Sequence, residues 1–190
     1  SMIILDEQAD PAWVAADILS QAEHVDSVTY LVAAAGMIMD RTTAHIFALL
    51  NGALANAALL TAVRERLVVI HTQSLDEAAD VANVIAPEHL QIVTRDNARV
   101  LARVRNAGAV FLGPYAPVPL GDFVAGPSHV LPTGCTAGFM SGLGTDVFRK
   151  RMAVMECDAA AFARMADAID AFARAEQLPA HAYTATVRRR

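Results

Sequence analysis

A four-fold alternation of short apolar runs with capped, helix-periodic stretches restricts the fold of this chain most strongly. MIIL (2–5), VTYLVA (28–33), LVVIH (67–71), LQIVT (90–94) and AVFL (109–112) each have strand character. A helix signal follows each of the first four. Asp10-Pro11 supplies an N-cap and a proline at the first helical position, ahead of Val14, Ile18 and Val25 on one side. Thr42 or Thr43 opens a long Ala/Leu helix expected to reach about Arg64, with Ile46, Leu49, Leu50, Leu54 and Leu60 as its stripe. Ser74-Leu75-Asp76-Glu77 has capping-box spacing and begins a helix that Pro87 helps to end. Asp96 caps a fourth helix, carrying Val100, Leu101 and Val104 and closed by Gly108.

Four strand–helix units finished by a fifth strand imply an α/β fold of three layers: a mostly parallel sheet with helices on both faces. The run at 67–71 reads as a buried strand. Residues 1–144 are assigned to this domain and 145–190 to a C-terminal helical arm. In the arm, Asp158 caps a helix with Phe162, Met165, Ile169 and Phe172 on one stripe, ending near Gln177-Leu178-Pro179 before a tail, His181-Ala182-Tyr183.

Composition narrows the function classes. With 55% apolar residues and a net charge of −5, the 190-residue chain is expected to fold, and no nucleic-acid partner is suggested. Arg188, Arg189 and Arg190 read as a solvated tail. Cys135 and Cys157 are too few and too distant for a disulfide framework or a cysteine zinc site, which fits a reducing, cytoplasmic setting. Asn51 and Asn56 interrupt the Ala/Leu stretch at 44–63, and Arg64-Glu65-Arg66 closes it. It therefore reads as a buried helix, with no membrane partner. The opening residues do not read as a secretory signal, and Ser1 before Met2 reads as a remnant of expression cloning.

The chemistry gathers in residues 85–134. Seven Gly or Pro lie between Gly113 and Gly134, in a connection too long for an ordinary turn and therefore a candidate functional loop. Glu88-His89, Asp122 and His129 are its ionisable groups. Gln21 and His24, three apart, lie near the C-terminal end of the first helix. In a β-α-β unit that end sits at the edge where strands begin, as do Glu88-His89 before their strand. Both pairs are thus expected on one rim, opposite the usual ligand crevice. The ten residues before Asp122 span roughly 30 Å when extended, enough to bring its carboxylate there. Each position alone has a plain alternative: a helix end for Gln21, His24, Glu176 and His181, a turn for Asp122, a loop hydrogen bond for His129. Together, one amide oxygen, two imidazoles and a carboxylate form an N/O set suited to zinc, with an adjacent Glu and His for acid–base work.

These stretches resemble the second half of histidinol dehydrogenase. The resemblance rests on DPAWVAADILSQAEH (10–24), SLDEAADVANVIAPEHL (74–90), RVRNAGAVFLGPYAPVPLGDFVAGPSHVLPT (103–133), SGL (141–143) and AEQLPAHA (175–182); residues 31–66 resemble the family little. It implies a zinc-dependent, NAD-using homodimer that oxidises L-histidinol through an aldehyde to L-histidine. By the same resemblance Gln21, His24, Asp122 and His181 would hold zinc, His181 coming from the partner subunit. Glu88 would activate the water and His89 would handle the alcohol proton. His129 and a partner's Glu176 would contact substrate. The family's first half, which carries most of the NAD site, has no counterpart here, and no Gly-rich dinucleotide fingerprint follows any strand. Cofactor-binding residues are therefore unassigned, and a separate N-terminal half is an expected partner. Gly138 stands where the family usually has Arg after Thr-Ala. Alternatives are a catalytically inactive truncated paralogue acting as a zinc- or imidazole-binding or assembly module, and a dehydrogenase of another small amino- or hydroxy-alcohol.

Overall fold

The computed structural model describes residues 1–34 and 36–189, so Arg190 of the closing arginine cluster lies outside the described residues. Arg188 and Arg189 are exposed. The chain divides into two compact units, Ser1–Phe148 and Arg149–Arg190.

The first unit is a parallel five-stranded sheet: β1 (Met2–Leu5), β2 (Thr29–Ala33), β3 (Leu67–His71), β4 (His89–Val93) and β5 (Ala109–Leu112), in the order β3-β2-β1-β4-β5. Strand alternation in β1 divides its side chains between two cores. Ile3 and Leu5 pack with Val14, Ile18, Ile38, Ile46, Leu59 and Val63, from α1 (Pro11–Ala22), α2 (Gly36–Leu50) and α3 (Ala57–Arg66). Met2 and Ile4 pack with Ala78, Ala82, Leu90, Ile92 and Val100, from β4 and from α4 (Leu75–Ile85) and α5 (Asn97–Leu101). The expected three layers, with helices on both faces, are present.

Local chemistry sets the helix starts. Asp10 accepts hydrogen bonds from the Ala12 and Trp13 amides, with Pro11 at the first helical position. Ser74 accepts from the Glu77 amide, while the Glu77 carboxylate accepts from the Gln73 amide, one residue earlier than a strict capping box requires. Asp96 caps α5 through the Arg99 amide.

Four expectations for the first unit are corrected. The single long helix is two: α2 begins at Gly36, before Thr42, and ends at Leu50, and Asn56 starts α3 by accepting from the Ala58 and Leu59 amides. An asparagine whose oxygen satisfies free amides favours a new helix over continuation of the old one. β3 is a sheet edge, with Val68 39% and Val69 41% exposed, because strand order places a partner on one side only. Gly108 does not close α5, which ends at Leu101. The Gly-rich connection is not structureless either, for α6 (Val118–Phe123) forms within it, with Pro119 in its first turn.

In the second unit α7 (Ala159–Ala175) starts at the Asp158 cap, as expected. His181 lies on a further helix, α8 (Pro179–Val187), and not in a tail, since Gln177 turns the chain at φ 59° and Pro179 suits the first helical turn. Among the described residues, no helix is long and apolar enough to cross a membrane.

Candidate active site

The site forms on the rim of the first unit where the strands begin. α1 runs antiparallel to the sheet and delivers Gln21 to its own last turn, with His24 just beyond. Gln21 is buried, and its backbone carbonyl accepts from both the His24 amide and the Ser27 hydroxyl, which anchors the helix end.

Glu88-His89 arrive from the other side. α4 ends at Ala86 in the left-handed region, φ 47°, a conformation that costs a non-glycine residue about 1–2 kcal/mol. That turn lets Pro87 leave the helix and makes His89 the first residue of β4. The Gly108 amide donates to the Pro87 carbonyl at 2.9 Å and the Ala109 amide to the Glu88 carbonyl at 2.8 Å. Close approach explains Gly108: a Cβ there would lie 2.6 Å from the Glu88 carbonyl oxygen.

Two of the singled-out side chains converge on the imidazole of His89. Gln21 Oε1 lies 3.2 Å from Nδ1, and Asp122 Oδ1 lies 3.9 Å from Nε2. Phe111 of β5 packs edge-to-face on the ring, with centroids 6.0 Å apart. Gly121 lies flush against Phe111, since a Cβ would meet its Cε1 at 2.6 Å, and this brings Asp122 on α6 up to the imidazole. The long connection thus carries Asp122 back across to the starting edge of the sheet.

An amide oxygen can only accept, so Gln21 places the His89 proton on Nδ1 and leaves a lone pair on Nε2. Burial pushes the His89 imidazole below its ordinary value, against the pull of the Asp122 carboxylate. Burial pushes the Glu88 carboxyl up, with His24 opposing and Asp122 assisting. Both shifts favour the uncharged form: His89 is held as a neutral imidazole able to accept a proton, and Glu88 becomes a stronger base than an ordinary carboxylate.

A cleft of about 550 Å³ opens beside them, bordered by Gln21, His24, Tyr30, Glu88, His89 and Cys135 among others. That volume suits a small polar molecule. Not every expected residue is there. His129 is exposed and does not border the cleft, whereas Thr133, Gly134 and Cys135 of the same connection do. Glu176 and His181 belong to the second unit, where they border an apolar groove with Met165, Ile169 and Phe172. Among the described residues, no three His, Cys, Asp or Glu side chains form a metal-holding cluster. The first unit contributes one imidazole, His24, and one carboxylate, Asp122, beside the amide oxygen of Gln21. These are N/O donors of the kind zinc accepts, and the Gln21 oxygen keeps a second lone pair beyond the one directed at His89.

Sequence reasoning missed Asp17 and Gln91. Gln91 Nε2 donates to Asp17 Oδ2 at 2.7 Å, one layer inward from Gln21 and His89. A polar residue inside the apolar run HLQIV was the available signal.

Known proteins resemble this chain along nearly its whole length. The family model for histidinol dehydrogenase matches residues 1–189. A histidinol dehydrogenase of Heliobacterium mobile is 43% identical over 188 residues, which cover 98% of this chain and 44% of that protein. One of Thiocapsa roseopersicina is 41% identical, covering 98% of this chain and 81% of that sequence. The crystal structure of histidinol dehydrogenase from Elizabethkingia anophelis superposes with a TM-score of 0.88 at 30% identity, covering 98% of this chain and 43% of that one. The chain thus spans less than half the length of most of these relatives.

Proposed function

The chain belongs to the histidinol dehydrogenase family, and from that premise we propose that it forms the substrate- and metal-binding part of an NAD-linked oxidation of L-histidinol to L-histidine. The observation that carries the reading is the convergence of Gln21 and Asp122 on His89, in a cleft wall that Gln21, Glu88 and His89 form together. The oxidation has two stages. Alcohol becomes aldehyde with loss of a hydride and the hydroxyl proton; water then adds to the aldehyde, and a second hydride leaves to give the carboxylate.

His89 takes the hydroxyl proton on Nε2, which the Gln21 contact leaves unprotonated and burial keeps neutral. Glu88, its carboxyl made more basic by burial, removes a proton from the attacking water. Gln21, His24 and Asp122, with His181 from a second copy, would hold zinc, which as a Lewis acid polarises the substrate oxygen when bound. His129, with Glu176 from a second copy, would contact the substrate once it is seated. NAD would be held mainly by the portion of the family that this chain does not span, supplied on a separate polypeptide or as a preceding segment. A homodimer formed through residues 145–190, working in the cytoplasm, completes the reading.

Zinc content and histidinol binding of the purified chain test it. Close to one zinc per chain is expected, lost in His24→Ala, with histidinol binding lost alongside. Hydride transfer to NAD is expected only after the complementary N-terminal half is added. A chain that takes up no zinc, and whose His24→Ala variant binds histidinol as the parent does, would end the proposal.

A further inference from the structure

Two polar rungs connect α1 to β4. Positions 17 and 21 are one helical turn apart, and positions 89 and 91 share one face of the strand. The outer rung is Gln21–His89. The inner rung is Asp17–Gln91, with Gln91 only 1% exposed on the α1 face of the sheet, the face whose apolar layer holds the fully buried Ile18. Burying polar groups in such a layer is costly, and here the cost is not fully offset, because the Gln91 Oε1 atom has no hydrogen-bond partner. An apolar pair of similar volume would fill the space without that cost. What it would lack is direction.

Apolar contacts tolerate sliding. A helix that advances by one residue moves 1.5 Å and turns about 100°, which would carry Gln21 off the imidazole. A single short hydrogen bond one turn inward opposes both motions.

We propose that Asp17 and Gln91 are a positioning pair: they fix the axial and rotational setting of α1 against β4, and so keep the Gln21 carbonyl on Nδ1 of His89. Neither residue touches the cleft. Their effect is transmitted through the proton on His89, and it matters for turnover only if His89 is the acid–base imidazole proposed above.

The test reads the His89 ring directly, on the full chain at neutral pH, by ¹⁵N-resolved NMR of the histidine side chains. The parent is expected to show the Nδ1–H form. In Asp17→Ala and in Gln91→Met the ratio of the two neutral ring forms should shift by about five-fold toward Nε2–H, the equilibrium effect of one lost hydrogen bond. Asp17→Asn keeps an acceptor for the Gln91 amide and adds a donor for its unpartnered oxygen, so it should retain the parent signature. Backbone spectra confirm that each variant is folded. Asp17 is a half-buried helix position, so Asp17→Ala is the variant expected to fold if the other does not. The proposal is overturned if a folded Asp17→Ala or Gln91→Met keeps the parent ratio, or if Asp17→Asn shifts as far as Asp17→Ala. The measurement needs no zinc, substrate or NAD. A chain that failed to bind histidinol would therefore sink the functional proposal and leave this one standing, while an unchanged ring ratio would do the reverse.

Discussion

Gly108→Ala tests how Glu88 is held in place. A methyl group at residue 108 would sit 2.6 Å from the Glu88 carbonyl oxygen, 3.2 Å from its Cα and 3.2 Å from Pro132 Cδ. Ordinary contact begins near 3.4 Å, so a gap of about 0.8 Å must open against the backbone that enters β4. Backbone cannot yield as the far end of a side chain can. Overpacking of this kind costs about 1–3 kcal/mol, and weakening of the Gly108-to-Pro87 hydrogen bond adds about 1 kcal/mol. At roughly 2–4 °C per kcal/mol for a chain of this size, a central cost of about 3 kcal/mol lowers Tm by about 6–12 °C. Glu88 would move by a similar distance, and a displacement near 1 Å costs on the order of 100-fold in rate. Thermal denaturation gives the first quantity. The second comes from histidinol-dependent NAD reduction with the complementary half added. Gly144→Ala is the control, because a Cβ there meets nothing within 4 Å. A Gly108→Ala protein that melts with the control and turns over like the parent would refute the claim that close approach positions Glu88.

Asn56→Ala removes the side chain that starts α3 and should cost about 1 kcal/mol, seen as a Tm lower by roughly 2–4 °C; an unchanged Tm would favour one continuous helix across 51–56. The Asp17 carboxyl gives a pH-dependent prediction. Burial raises it above its ordinary 3.8, so the folded state holds that proton more tightly than the unfolded state does. Below 3.8 both states are protonated and folding carries no penalty; as pH rises through the raised value, the folded chain must bury a charge and loses stability. Asp17→Asn escapes that loss. In urea denaturation it should be more stable than the parent at neutral pH, with the difference closing as pH falls below 3.8, and a constant difference across that range would contradict the assignment.

The amino-acid sequence by itself determined the elements and their chemistry. Asp10, Ser74, Asp96 and Asp158 start helices because a side-chain oxygen placed beside free amides acts within a single turn of chain. The same local logic made Asn56 the start of a second helix, although the apolar stripe running past it suggested one. Apolar runs marked all five strands, but not which of them would be an edge. β3 reads like an interior strand and lies at the border, because order within a sheet is settled by how crossovers pack, which is a property of the whole unit. The site divides along the same line. Glu88-His89 and Gln21 were legible as chemistry, and the direction of α1 was enough to place them on one rim. Only the tertiary structure set Asp122 at His89, through Gly121 seated against Phe111, and only it paired Asp17 with Gln91 across 74 residues of chain. Contacts that depend on two side chains meeting at a fraction of an ångström leave no periodic trace in sequence, because each partner's own neighbourhood is unremarkable without the other.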